Sequence, residues 1–373
     1  MPIHPLKLIE DKIRDLAQEG EYLLYLLLSP FKFKKFPKHI RKVLVVDLFN
    51  IGDLIVATPV IRALRYHYPK AQIDMLVKKS MQAVLANNPH LNHTIPYTTE
   101  NETLQRIQKE GYDLGIILHP GSLKVSFLLL RGGVKYRIGC TKAGITYGKG
   151  FFLHKKIFPN NRWQHKSEDN LDVIRAIKIQ PLDKHLEIYA APETEKKMKT
   201  ILAKKPRPWI GISATSKHWT QQWYPERFAK VANHYISSLG ATIIFTGLQN
   251  ERDQIVQISQ HIAKKKNVLD LSGKTSFHEL TALIKNLDLL ITIDSSPLHI
   301  ASATNTPVLA LFGPTIPTFW GPTGENSSYI WKEEGACVGC RRYCCIYRKD
   351  HECMRSITAK EVIAASEKLL KRP

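Results

Sequence analysis

Two short, mostly apolar runs, 289–293 and 308–312, stand either side of a helical stretch and restrict what this chain can fold into. Such runs, bounded by polar turns, mark strands buried on both faces of a parallel sheet. The first ends in Asp294-Ser295-Ser296-Pro297, a tight polar turn in which Pro297 suits the first position of a helix. The second ends at Gly313-Pro314. Asp294, Ser295, Ser296 and His299 thus fall at the carboxyl end of a strand and in the first turn of the helix after it. Open α/β sheets bind ligands there, with backbone N–H groups and the positive end of the helix dipole facing an anion.

The same alternation runs through most of the chain. Strands are expected at 43–48, 72–77, 113–118 and 135–138, with helices at 54–68, 103–110 and 123–130. A charged helix at 191–205 leads into a linker, Lys204-Lys205-Pro206-Arg207-Pro208. Strands then follow at 209–213, 242–246, 268–271, 289–293 and 308–312, with helices at 225–238, 251–264, 277–286 and 297–303. Two such alternations in 373 residues, too many for one ordinary core, mean two doubly wound parallel-sheet α/β domains. The expected ligand site is a cleft between them, at the strand ends. The boundaries are 1–40 for an amino-terminal arm, 41–190 and 206–335 for the two domains, and 336–373 for a Cys-rich tail with a terminal helix. No strand is followed by Gly-x-Gly-x-x-Gly and no Walker sequence is present, which argues against a dinucleotide-dependent oxidoreductase and a P-loop enzyme.

Net charge is +21, from 54 basic and 33 acidic residues, so a polyanionic neighbour is expected: nucleic acid, an anionic membrane or a phosphorylated substrate. No apolar run reaches the roughly 18 residues of a membrane span, and acidic residues interrupt the apolar start where a signal peptide would lie. A cytoplasmic protein is expected. Leu6, Ile9, Ile13, Leu16, Leu23 and Leu27 recur at helical steps and predict an amphipathic helix. Beyond it, Phe31-Lys32-Phe33-Lys34-Lys35-Phe36 interleaves aromatics with cations, and no acid occurs up to Lys42. This arm suits an anionic bilayer surface at the inner membrane face; the alternatives are a helix packed on the body or an oligomer contact.

Three segments carry a family resemblance. Asp294-Ser295-Ser296-Pro297-Leu298-His299-Ile300-Ala301, followed by Pro307 and Leu311-Phe312-Gly313-Pro314-Thr315, resembles the nucleotide-sugar site of the bacterial heptosyltransferase-like glycosyltransferases, family 9. Gly52-Asp53 and the Thr58-Pro59 pair match its first strand–turn–helix. Ser213-Ala214-Thr215-Ser216-Lys217, continuing to Trp223 and Pro225, is similar to its third segment, though Gln221 and Gln222 stand where a lysine is usual. Ser296 likewise replaces the usual glycine. The resemblance implies a GT-B architecture, with the acceptor on the first domain and the donor on the second. It implies an inverting, metal-independent transfer of a heptose or related sugar from a nucleotide diphosphate, ADP-heptose favoured, to a lipid-anchored phosphorylated glycan of the lipopolysaccharide core. No cofactor would be required for catalysis.

Such a reaction needs a carboxylate to take the acceptor proton and donors to hold the leaving diphosphate. The resemblance makes Asp53 the base; alone it would also suit a helix N-cap. Ser213, Thr215, Ser216 and Lys217 can offer hydroxyls, N–H groups and charge to a diphosphate, or form a capping turn. The resemblance makes Glu251 the ribose ligand, while a first-turn acid favoured by the helix dipole is the plainer reading. Ser272, Gly273, Lys274 and Thr275 would hold the base of the nucleotide. Asp294, Ser295 and Ser296 complete the donor set, and His299 either bonds a phosphate or braces the turn. Cys337, Cys340, Cys345 and Cys353 have spacing compatible with a structural zinc, the alternative being reduced cysteines packed on the body. Two other functions remain open: a nucleotide-sugar hydrolase or epimerase on the same frame, and a non-enzymatic nucleic-acid binder. Against the latter, no nucleic-acid-binding module pattern occurs.

Overall fold

The computed structural model describes residues 29–119, 121–140, 150–157, 163–332 and 351–371, together with Leu16, Gly20, Leu27, Cys340 and Cys345. These form two units, one ending at Glu187 and the other running from Ile188.

The first unit comprises β1 (Lys42–Val46), α1 (Ile51–Val56), α2 (Thr58–His67), β2 (Gln72–Lys78), β3 (His93–Tyr97), α3 (Glu100–Glu110), β4 (Leu114–Ile117), α4 (Leu123–Arg131), β5 (Tyr136–Cys140), β6 (Lys155–Ile157) and α5 (Lys166–Arg175). Its six strands are all parallel, in the order β3-β2-β1-β4-β5-β6. Strand order reverses between β1 and β4, so their carboxyl ends part and leave a crevice, the usual ligand position in such sheets. Val43, Leu44, Val45 and Val46 are fully buried, as a central strand covered on both faces requires. Short-range chemistry fixes the helices. Thr99 and Ser122 cap α3 and α4 by accepting the Glu102 and Val125 N–H groups, and Gly111 closes α3 in the left-handed conformation at φ 66°.

The single helix expected over 54–68 is two, broken at Ala57. Pro59 has no N–H to donate to Ile55, and the Thr58 hydroxyl fills that place, donating to the Ile55 carbonyl at 2.7 Å. The same hydroxyl accepts from the Glu187 N–H at 3.1 Å.

The second unit comprises α6 (Pro192–Leu202), β7 (Trp209–Ser213), α7 (Pro225–Leu239), β8 (Thr242–Phe245), α8 (Arg252–Gln260), β9 (Val268–Asp270), α9 (Phe277–Lys285), β10 (Leu289–Ile293), α10 (Ser296–Thr304), β11 (Val308–Phe312), α11 (Pro317–Trp320), β12 (Ser327–Trp331), α12 (Glu352–Arg355) and α13 (Ala359–Leu370). Its parallel sheet runs β12-β11-β10-β7-β8-β9, the topology of the first sheet repeated, with the switch point between β7 and β10. Helix α13 packs on α7, where the Tyr235 hydroxyl meets Ser366 Oγ at 2.5 Å. Met354, Ile357 and Val362 are fully buried in this unit's core. Helix α10 begins at Ser296, one residue before the expected start, with Ser295 in the extended N-cap conformation. Two doubly wound parallel-sheet units are the fold expected from the sequence, that of the GT-B enzymes.

The amphipathic helix expected over the first thirty residues lies outside the described residues, apart from Leu16, Gly20 and Leu27, which are helical and exposed. The aromatics after it divide. Phe31 packs edge-on against Phe152 and His154, and Phe36 against Tyr136, so two of the three rings read as facing a bilayer are held by the first unit. Phe33 stays 78% exposed. Among the described residues no helix is long and apolar enough to cross a membrane.

Candidate active site

At the carboxyl end of β1 the chain turns sharply, and two carboxylates hold the turn. The Phe49 N–H donates to Asp47 Oδ1 and the Asn50 N–H to Asp53 Oδ2, both at 3.0 Å. Asn50 is the N-cap of α1 and Asp53 its third residue, so Asp53 is not the helix cap that its neighbours in sequence allow. It reaches back to the cap residue's N–H, the carboxylate half of a capping box. Asp53 is 9% exposed and Asp47 3%. Burial lifts the Asp53 carboxyl to about 6, against the bonds from Asn50 and its own backbone and the charges of Lys78 and Lys166. Lys166 itself bonds Asp169 at 2.7 Å on α5, which packs against α1 and α2. A carboxylate with this pKa accepts a proton readily near neutrality and releases it again.

The second unit gathers its polar residues at the ends of β7, β8 and β10. Ser213 ends β7 and is buried. Thr215 Oγ1 donates to Glu251 Oε2 at 2.8 Å, and the Leu248 N–H donates to the same oxygen at 2.8 Å. The β7 and β8 loops are therefore joined by one carboxylate. Ser216 Oγ donates to Gln221 Oε1 at 2.6 Å, and Gln221 Nε2 donates to Asp294 Oδ2 at 3.2 Å. This relay carries the β7 loop to the end of β10. Sequence reasoning treated Gln221 only as the place of a missing lysine; its partners lie 5 and 73 residues away, so nothing local signals the bridge. Burial raises the Asp294 carboxyl to about 6, the Thr315 hydroxyl beside it pulling the other way. Ser295 is the N-cap residue of α10, with no side-chain cap bond, and Ser296 opens the helix just after Asp294; Pro297 has no N–H and the Leu298 N–H donates to the Ser295 carbonyl at 3.1 Å.

The remaining candidates are spread more widely. Lys217 is exposed on the same loop. Lys274 Nζ donates to the Asp270 carbonyl at 2.8 Å on the turn after β9, with Thr275 half-buried beside it. His299 is buried, its ring edge-on to Trp320 at 6.0 Å. Cys353 is buried in the core of the second unit, Cys340 and Cys345 are half-buried, and Cys337 lies outside the described residues. Among the described residues no three His, Cys, Asp or Glu side chains stand together as a metal site would need.

The two raised carboxyls have a cost in stability with a definite sign. A carboxyl whose native pKa stands above its unfolded value stabilises the fold most below about pH 4, and that contribution is lost as pH rises through about 6. Asp53→Asn and Asp294→Asn should each unfold at higher temperature than the native chain at pH 7.5, by on the order of 1–3 kcal/mol, and converge with it near pH 4. Thermal denaturation at the two pH values checks this; a lower melting point at pH 7.5 would contradict it.

Two doubly wound parallel sheets, each with polar residues at its switch point, are the frame of the GT-B class. A sequence model of glycosyltransferase family 9 (heptosyltransferase) matches residues 102–351, and the chain belongs to that family. It is similar to lipopolysaccharide heptosyltransferase 3 of Escherichia coli strain K12, 29% identical over 337 residues that cover 86% of this chain and 95% of the relative. Among solved structures, the glycosyl transferase family 9 protein from Veillonella parvula DSM 2008 shares the fold with a TM-score of 0.76 at 23% identity, covering 88% of this chain and 97% of that one. The Escherichia coli ADP-heptose lps heptosyltransferase II shares it with a TM-score of 0.73 at 21% identity, over 88% and 98% of the two chains.

Proposed function

We propose that this chain transfers a heptose from ADP-heptose to a lipopolysaccharide core acceptor, with inversion at the anomeric carbon. Asp53 is the general base: it takes the proton of the acceptor hydroxyl as that oxygen attacks the anomeric carbon and the bond to the diphosphate breaks. The donor lies on the second unit. Its ribose bonds Glu251, its base rests on the turn of Lys274 and Thr275, and its diphosphate faces Ser213, Thr215, Ser216, Lys217 and the start of α10. The observation that carries the reading is the buried Asp53 carboxylate, held by the Asn50 N–H at a strand–helix turn and raised to about 6. The names of the relatives support the sugar, the nucleotide and the acceptor class.

Charge on the departing diphosphate is met by N–H groups, hydroxyls and Lys217, so the proposed step calls on no metal. A structural zinc at Cys337, Cys340, Cys345 and Cys353 remains part of the proposal, to be tested by metal analysis of the purified protein. Donor identity is tested by calorimetry with ADP-heptose beside UDP- and GDP-sugars. Tight binding of ADP-heptose alone is expected; preference for a UDP- or GDP-sugar would overturn the assignment.

The amino-terminal arm is proposed to bring the enzyme to the inner membrane face. Leu16 and Leu27, two members of its apolar stripe, are 67% and 77% exposed, and six basic residues fall between Lys32 and Lys42. Removing residues 1–38 should release the protein from anionic vesicles and raise KM for a lipid-linked acceptor, while activity on a short soluble acceptor persists. Vesicle binding by the full chain should also fall with salt, since a polybasic contact is screened over about 10 Å at 0.1 M. A truncated protein that still sediments with vesicles would contradict this role.

A further inference from the structure

In the second unit the tail segment 351–357 lies against the loop between β7 and α7 and the start of α7. Trp223 Nε1 donates to the Ile357 carbonyl at 3.1 Å, and Arg227 Nη1 to that of Arg355 at 2.6 Å. At the head of the segment the direction reverses: His351 Nε2 donates to the Gln222 carbonyl at 2.9 Å. A carbonyl only accepts, so the ring carries a proton on Nε2. The ring is parallel to that of Tyr224, with 5.6 Å between centroids, and edge-on to that of Trp219 at 5.2 Å. Two costs accompany this placement. The His351 backbone stands at φ 35°, in the left-handed region, and Nδ1 is buried with no hydrogen-bond partner. The start of α12 does not need the ring, since the Met354 N–H bonds the main-chain carbonyl of His351 at 2.9 Å. A strained backbone that carries a half-satisfied imidazole is expected where the ring itself serves a purpose.

We infer that His351 is a positioning residue for the nucleotide donor, holding the loop from Ala214 to Gln222 in the shape that receives the diphosphate. The inference rests on the donor site proposed above and adds to it a residue that acts through the loop. The connection runs through two glutamines. Gln222, whose carbonyl His351 holds, donates through Nε2 to the Ser216 carbonyl at 3.2 Å and to Gln254 Oε1 at 3.1 Å. Its neighbour Gln221 joins Ser216 Oγ to Asp294 Oδ2. Ser216 is thus fixed by both its main chain and its side chain, and Lys217 follows it directly. Trp219 opens the short turn Trp219–Gln221, is 43% exposed, and rests its ring against that of His351. This support comes from 129 residues further along the chain. Without it the turn loses its backing, and a loop that spends less time in the receptive shape binds the diphosphate correspondingly less tightly.

Calorimetry with ADP and steady-state kinetics with ADP-heptose, both on the full chain, test this. His351→Ala should weaken ADP about ten-fold and raise KM for ADP-heptose by a similar factor, with kcat at saturation within about two-fold of native. His351→Gln, whose amide can still donate to the Gln222 carbonyl, should lose less than about three-fold. His351→Phe keeps an aromatic ring beside Trp219 and Tyr224 but has no donor, and should bind ADP less tightly than His351→Gln. That pair carries the test if the alanine variant does not fold. Because His351 acts through the same loop as Gln221, His351→Ala and Gln221→Ala together should weaken ADP by less than the product of their separate effects. A residue that merely packed the tail would lower the melting temperature and leave KM unmoved. Native ADP affinity in His351→Ala, equal affinity in His351→Gln and His351→Phe, or separate effects that simply multiply would overturn the inference. If the native chain binds ADP and Asp53→Asn still abolishes transfer, such a result removes His351 alone and the glycosyltransferase reading stands; a native chain that binds no ADP removes both.

Discussion

Asp53→Asn should lower kcat by about 10²–10⁴ and leave ADP affinity within a few-fold of native, because a general base acts in the chemical step and not in holding the donor. The change is nearly isosteric, and the amide oxygen can still accept the Asn50 N–H that Asp53 Oδ2 now accepts at 3.0 Å. Loss of activity therefore reports the missing proton acceptor and not a collapsed turn. In the native enzyme kcat/KM should fall as pH drops below about 6, where the Asp53 carboxyl becomes protonated and no longer accepts the acceptor proton. Steady-state kinetics between pH 5 and 8 with a calorimetric ADP titration check both parts. A variant with native turnover would return Asp53 to a purely structural place in the capping box.

The second large effect is expected at Glu251. One of its oxygens, Oε2, already accepts both the Thr215 hydroxyl and the Leu248 N–H, which leaves Oε1 for a ribose hydroxyl. Glu251→Ala removes the sugar contact and unties the two loops together. Hydrogen bonds to a charged group contribute about 1.5–3 kcal/mol each, so donor affinity should fall by roughly 10–150-fold. Glu251→Gln keeps an acceptor for the loops and should lose far less. Gly247 makes room for this arrangement, since a Cβ there would stand 3.3 Å from Thr215 Oγ1 and 3.4 Å from Glu251 Oε2. Calorimetry with ADP separates the cases. Equal donor affinity in Glu251→Ala would assign the carboxylate to loop structure alone.

The central strands were legible because burial on both faces leaves a continuous apolar run: Trp209–Ser213, Leu289–Ile293 and Val308–Phe312 stand where the sequence places them. The three strands with no such signal are all sheet edges. His93–Tyr97 contains Pro96 and is only partly buried, Lys155–Ile157 is three residues long, and Ser327–Trp331 has no fully buried residue. An edge strand lacks one neighbour and is less covered, so its composition does not separate it from a loop. The active-site candidates divide in a similar way. Gly52-Asp53 and Asp294-Ser295-Ser296 sit at the strand ends where short-range pattern puts them. The Ser216–Gln221–Asp294 relay and the pairing of Thr215 with Glu251 depend on contacts across the sheet and leave no trace in spacing.

The central claim is an inverting heptose transfer, and the product decides it most directly. The full chain should be incubated with ADP-heptose and a lipopolysaccharide core acceptor, the glycan analysed by mass spectrometry, and the new anomeric centre assigned by NMR. The account predicts an acceptor heavier by one heptose, one ADP released per transfer, and an anomeric configuration opposite to that of the donor. Retention of the donor configuration, or ADP release at the same rate with no acceptor present, would contradict it.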